Sequence, residues 1–294
     1  MADFEKWIVD RFGENGLSWL RRLPDIVNEC VAKWDMKELK VQPISHYNYI
    51  AYCRLADNSE AVLKIGYPES EIGSEIAALQ ALRSEVMIKP LAINELHNAI
   101  LLPFIKPGTP LFTFADDEKQ TQIAANLIMN MPVSLAVDYN FPQLTDWFRK
   151  ISDFSNEKKS HIPQNHLVDA AHIFGELQKA DFSSQLLHGD FHHHNILKNS
   201  DRWIVIDPKG VIGNPLYETS CFLYNPSPNI LKQNAEKILG KRIEIFVDIL
   251  PYQAEEIAAM AYCQSILSAV WCIEDRQNCW QNAISFADIF RNFI

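Results

Sequence analysis

The decisive stretch is Leu187-His188-Gly189-Asp190-Phe191-His192-His193-His194-Asn195-Ile196-Leu197, followed closely by Trp203-Ile204-Val205-Ile206-Asp207-Pro208-Lys209-Gly210. Asp190 and Asn195 lie five residues apart on a polar loop with apolar flanks. Asp207 directly follows an apolar run that reads as a buried strand. A carboxylate at the end of such a strand is held by the backbone beneath it. The side-chain oxygens of Asn195 and Asp207 are hard donors, which suit Mg²⁺ better than a soft metal.

Outward from this stretch the chain divides in two. A leading segment to about residue 34 reads as helical, with Pro24-Asp25 expected to break it. Short β-like runs follow at 41–44, 49–55 and 61–65, and the polar turn Asp57-Asn58-Ser59 makes the last two a hairpin. Ile72, Ile76, Leu79 and Leu82 recur at helical spacing, so 69–84 reads as an amphipathic helix. Two more β-like runs, 91–93 and 99–102, lead into the connector Pro103, Pro107, Gly108 and Pro110. The rest is helical by pattern, with candidates at 116–130, 142–153, 166–180, 231–239, 253–274 and after Asn278. The expected architecture is α+β: a small β-rich lobe over residues 1–103 and a larger helical lobe over 104–294.

The eight-residue frame His188-Gly-Asp190-Phe-His-His-His-Asn195, with Asp207 after an apolar strand, matches the H-x-D-x-x-x-x-N loop and metal-binding Asp of the kinase superfamily. Upstream, Lys64 ends the apolar trio Ala61-Val62-Leu63, as does the lysine that holds α- and β-phosphates in such enzymes. Glu71 and Glu75 share a face of the following helix, and Glu75 is the preferred partner for Lys64. The phosphate-covering segment departs from the pattern. It reads Ile44-Ser45-His46-Tyr47-Asn48-Tyr49 and has no glycine, leaving Ser45 and Asn48 as candidate phosphate donors.

These residues resemble the aminoglycoside and hydroxyurea phosphotransferase family, which includes the streptomycin kinases. Supporting pieces are Asp207-Pro208-Lys209-Gly210, the hinge-like run from Leu101 to Thr109, and the run from Ser268 to Asp275. The resemblance implies a protein-kinase-like fold with ATP between the lobes. It implies Asp190 as catalytic carboxylate, Asn195 and Asp207 as magnesium ligands, and adenine contacts from Leu102 and Phe104. His188 is expected to brace the loop. Two departures are Asn214 and Glu218, where the family often has Asp; both are expected to bear on support of the loop.

The acceptor is expected to be a hydroxyl on a small molecule, such as streptomycin. Glu274 and Asp275 are candidate carboxylates for a cationic acceptor, and Asp138 and Asp146 are weaker ones. An unidentified hydroxylated metabolite remains open as acceptor. A hydrolase using zinc on the His192-His193-His194 run and a non-catalytic nucleotide-binding module are further alternatives.

The formal net charge of −10 and the lack of clustered Lys and Arg argue against nucleic-acid binding. The sequence has neither a secretory signal nor an apolar run judged long enough to cross a bilayer, so a cytoplasmic location is expected. The six cysteines form no C-x-x-C pair, and disulfides are not expected.

Overall fold

The computed structural model describes residues 3–42, 47–131, 139–155, 161–179, 184–227 and 229–294. Ser45 and Asp138 lie outside them. The chain opens with helix α1 (Asp3–Lys33), which turns sharply at Gly13 (φ 56°, ψ −134°), not at Pro24. Those angles favour glycine. Pro24 stays helical because it lies on the exposed side, where water can satisfy the carbonyl its ring leaves without a donor.

Five antiparallel strands follow: β1 (Lys37–Val41), β2 (Tyr49–Arg54), β3 (Glu60–Ile65), β4 (Ala92–Asn94) and β5 (Ala99–Pro103), in the order β1-β2-β3-β5-β4. The first strand thus lies upstream of the expected 41–44, of which 43 and 44 fall outside the described residues. Side chains alternate across a strand. Ala61, Leu63 and Ile65 of β3 therefore turn to one face and join Ala51 and Cys53 against Phe4, Ile8, Trp19 and Leu23 of α1. Val62 and Lys64 turn to the other face, towards helix α2 (Ile72–Ala81).

The remainder is mostly helical: α3 (Asp117–Met129), α4 (Leu144–Ser155), α5 (Gln164–Leu177), α6 (Tyr217–Leu223), α7 (Ala235–Ile249), α8 (Ala254–Glu274) and α9 (Trp280–Arg291). Strands β6 (Pro107–Pro110), β8 (Ile196–Asn199) and β9 (Arg202–Val205) form one small sheet, and β7 (Gln185–Leu187) pairs with β10 (Val211–Gly213) in another. Helix α7 replaces the expected 231–239. Its start is fixed by Asn234, whose side chain accepts from the Lys237 N–H. Helix α8 is long and apolar enough to span a bilayer by composition, contrary to expectation, but it is largely buried beneath its neighbours.

A third apolar cluster crosses between the two regions. Ile72, Ile76 and Leu79 of α2 meet Ile88, Ile100, Leu102 and Ile204, with Val62, Ile105 and Ile206 at the edge. Cys272 and Cys279, expected as free thiols, are joined by a disulfide. The tight link between α8 and α9 brings their Cα atoms to 5.8 Å, within the range such a bond requires. The other four cysteines are buried and free, as a small apolar side chain would be.

Candidate active site

Two periodicities bring Lys64 and Glu75 together. Strand alternation turns Lys64 inward, and the α2 turn presents Glu75 to it, giving Nζ–Oε1 2.7 Å with both side chains buried. Lys64 also donates to Asp207 Oδ1 at 3.1 Å. Burial works against the lysine's charge, but Asp207 and Glu75 outweigh it and hold its pKa above the ordinary lysine value. One cation thus ties the strand, the helix and the carboxylate that follows β9.

Asp207 adopts a left-handed backbone (φ 59°), which Asp tolerates better than most residues. Its carboxylate remains 44% exposed, so it faces outward as the strand-end reading required. Facing it, the loop of residues 188–195 is closed by its own hydrogen bonds. The Asn195 N–H donates to the His192 carbonyl (2.9 Å), and Asn195 Nδ2 donates to the Asp190 carbonyl (2.9 Å). The Ile206 N–H donates to the Asn195 carbonyl (2.9 Å), joining the loop to the segment that carries Asp207. With its amide nitrogen engaged, Asn195 has its side-chain oxygen left to serve as a hard donor.

His188 is fully buried and braces the loop. Its Nε2 lies 2.8 Å from the Ile206 carbonyl, which can only accept, so Nε2 carries the proton. Nδ1 then accepts the Asp190 N–H at 3.2 Å. Gly189 between them sits at φ 78°, and a β-carbon there would fall 2.9 Å from Val211 Cγ1. Burial opposes ionisation of Asp190. Lys209, His192 and His188 outweigh burial and hold the carboxyl below the usual carboxylate range.

The three consecutive histidines diverge. His192 Nε2 lies 3.5 Å from Asp190 Oδ1. His193 is buried and stacks on Phe222 with centroids 3.8 Å apart, close to the Arg242 guanidinium. His194 turns to Phe112. Among the described residues no group of three or more His, Cys, Asp or Glu converges as a metal site would need, which removes the basis of the zinc hydrolase reading. A magnesium site needs fewer protein donors, because phosphate and water oxygens complete it, and the Asn195–Asp207 donor set fits that demand.

The expected hinge and acceptor residues are placed less simply. Leu102 is buried in β5, in register with Val62. The Phe104 N–H donates to the Glu60 carbonyl (3.1 Å), so that donor is engaged within the protein. Glu274 is ion-paired with Lys150 at 2.6 Å, and Asp275 caps the C-terminus of α8 in solvent. Asp146 pairs with Arg149. What stands beside the loop instead is aromatic. Trp147 Cη2 lies 3.3 Å from where a β-carbon on Gly189 would sit, and the Trp147 and Trp271 rings meet edge to face at 5.7 Å. Lys209 Nζ lies 5.9 Å above the Trp271 ring. Trp147 carries no local signal in the sequence, because it meets Gly189 and Trp271 across long stretches of chain.

Glu218 supports the loop directly. Its Oε1 accepts the His188 N–H at 2.5 Å and its carboxylate also takes the Gly189 N–H, while Asn214 Oδ1 accepts from Leu216 N–H and fixes the start of α6 instead. Burial pushes the Glu218 carboxyl up to about 8, against the pull of those N–H groups. The folded value exceeds an ordinary carboxyl's of about 4.3, so the folded chain binds more protons than the unfolded chain between the two. Stability from this group is full below the unfolded value and falls as pH rises toward about 8. His188 acts oppositely: burial lowers it to about 4, so its contribution rises with pH up to the ordinary histidine value of about 6.5. Above that value Glu218 alone of the two still titrates. The melting temperature of the wild type relative to Glu218→Gln is therefore expected to fall between about pH 6.5 and about 8. A difference that stays flat across this window would show that Glu218 holds no proton in the folded chain.

Comparison with known proteins fits this geometry. The model of the family described as aminoglycoside/hydroxyurea antibiotic resistance kinase matches residues 33–276. A streptomycin 6-kinase of Streptomyces glaucescens is 21% identical over 273 residues, covering 90% of this chain and 87% of that protein. Among solved structures, choline kinase LicA from Streptococcus pneumoniae shares the fold with a TM-score of 0.65 at 14% identity, over 91% of this chain and 99% of its own. A thermostable mutant of aminoglycoside phosphotransferase APH(4)-Ia, in ternary complex with ADP and hygromycin B, gives 0.61 at 13% identity, over 90% and 97%. The neighbours confirm the two-lobed, kinase-like α+β architecture, and because the family model spans most of the chain, this protein belongs to the aminoglycoside/hydroxyurea antibiotic resistance kinases, enzymes that phosphorylate hydroxyl groups.

Proposed function

We propose that the protein transfers the γ-phosphoryl group of ATP to a hydroxyl of an aminoglycoside such as streptomycin. The observation that carries the transfer chemistry is that Lys64 bonds both Glu75 and Asp207, while the segment carrying Asp207 is joined through the Ile206 N–H and the Asn195 carbonyl to the braced loop of Asp190 and Asn195. Lys64, steadied by Glu75, holds the α- and β-phosphates, and adenine lies against the strand end at Leu102 and Phe104. Asn195 and Asp207 hold Mg²⁺, which when bound neutralises charge on the phosphate chain. Asp190 accepts the acceptor's proton as its oxygen meets phosphorus, and being ionised well below neutral pH it is ready to do so.

The streptomycin 6-kinase relative supports the acceptor. Glu274 and Asp275 keep their place as candidate carboxylates for its cationic groups. One observation favours a second acceptor class: Lys150 already pairs with Glu274, and Trp147, which packs against the Gly189 position beside Asp190, meets the ring of Trp271. An uncharged hydroxylated metabolite would suit such walls. The test is ADP release by purified protein with magnesium and ATP, screened against aminoglycosides, hydroxyurea and sugar alcohols. Streptomycin-dependent, magnesium-dependent release is expected. Release with a sugar alcohol alone would overturn the aminoglycoside assignment, and release that no acceptor raises above the slow transfer to water would overturn the transfer reading.

A further inference from the structure

Between Asp190 and Asn195 the loop carries no lysine or arginine; its side chains are Phe191 and the three histidines. Phosphoryl transfer spreads negative charge over the equatorial oxygens of the moving group, and a fixed cation beside them lowers the barrier. Lys64 is held on the nucleotide side by Glu75 and Asp207. The acceptor side needs another source of positive charge.

The fold places Lys209 there. Its N–H donates to the His188 carbonyl at 2.8 Å, pinning the residue to the loop. Its β-carbon lies 3.6 Å from the position a β-carbon on Gly189 would take, so the side chain rises next to the residue preceding Asp190. Nζ ends 5.9 Å above the Trp271 ring and 3.7 Å from Glu71 Oε2. Glu71 is 75% exposed, so that pair is weak in water. Of the charges around Asp190, Lys209 does most to favour its ionised form. The two groups nevertheless form no direct ion pair, and each keeps about a third of its side chain open (32% for Asp190, 35% for Lys209). Both heads remain available to oxygen atoms of a third molecule.

We infer that Lys209 is a second catalytic residue, whose ammonium contacts the non-bridging oxygens of the phosphoryl group as it passes to the acceptor beside Asp190. The bond from acceptor oxygen to phosphorus forms, and the bond from phosphorus to the bridging oxygen breaks with its electron pair leaving on ADP. The acceptor's proton goes to Asp190. Lys209 keeps its protons throughout. This role rests on the phosphotransferase reading above.

The test compares wild type, Lys209→Met, Lys209→Arg, Glu71→Gln and Asp190→Asn, using transfer to streptomycin and, independently of any acceptor, the slower transfer from ATP to water. Lys209→Met is expected to lower kcat about 10²- to 10³-fold with the Kd for MgATP, by calorimetry, unchanged within about twofold. Lys209→Arg recovers at least about tenfold of that loss, and Glu71→Gln stays within about threefold of wild type. A Lys209→Met enzyme with wild-type kcat, or one whose whole loss lies in KM for the acceptor, would overturn the assignment. If Lys209→Met fails to fold by circular dichroism, Lys209→Gln, which keeps a polar head, is judged by the same outcomes. Wild type that transfers phosphoryl to nothing would sink the parent reading. Active wild type, inactive Asp190→Asn and active Lys209→Met would sink this inference alone.

Discussion

Asp190→Asn is expected to lower kcat about 10³-fold while leaving affinity for MgATP within about threefold. The substitution keeps shape and removes the proton acceptor. The Asp190 backbone has anchors of its own: its N–H is held by His188 Nδ1 and its carbonyl by Asn195 Nδ2. The nucleotide side is likewise untouched, since Lys64 pairs with Glu75 and Asp207 and not with Asp190. Single-turnover and steady-state kinetics with calorimetric MgATP binding check this. A kcat within about tenfold of wild type would remove Asp190 from the chemistry.

The second large effect is expected at Asp207. Asp207→Asn should reduce kcat/KM for MgATP about 10³-fold and move the magnesium dependence to higher concentration, because a neutral amide is a far weaker ligand than a carboxylate. Asparagine is chosen because the residue sits at φ 59°, a region Asn enters readily, so the charge is removed without backbone strain. The Lys64–Glu75 pair survives, and the melting temperature should move little. Titration of activity against magnesium decides the matter. An unchanged magnesium profile would show that Asp207 serves only to anchor Lys64.

Which parts were legible in advance follows from how local each signal was. The strand of Lys64 and the helix of Glu75 each announced themselves by a repeat of apolar residues, and two repeats suffice to aim both side chains at one point. The frame from His188 to Asn195 was legible because its residue types and their spacing lie in one short stretch, which Asn195 closes onto the carbonyls of Asp190 and His192. Side-chain direction was not. Nothing in three consecutive histidines says that the middle one stacks under Phe222 while its neighbours turn to Asp190 and Phe112. Glu218 was read as support for the loop, but its bond to the His188 N–H spans thirty residues. Trp147 was invisible for the same reason. The sharp turn in α1 was placed at Pro24, where an exposed surface forgives the missing N–H, and it falls at Gly13, where the backbone angles demand a glycine. The Cys272–Cys279 bond depends on the shortness of a link between two helices that were each read separately.

The isoleucine-rich cluster of Ile72, Ile76, Ile100, Leu102 and Ile204 welds α2 and β5 to the hairpin strand that leads to Asp207. Greased together in this way, the upper and lower halves of the molecule cannot gape without wetting a shared seam. The contact of Lys64 with Asp207 spans the same waxy joint, so the packing that keeps the halves from drifting apart also keeps that spacing.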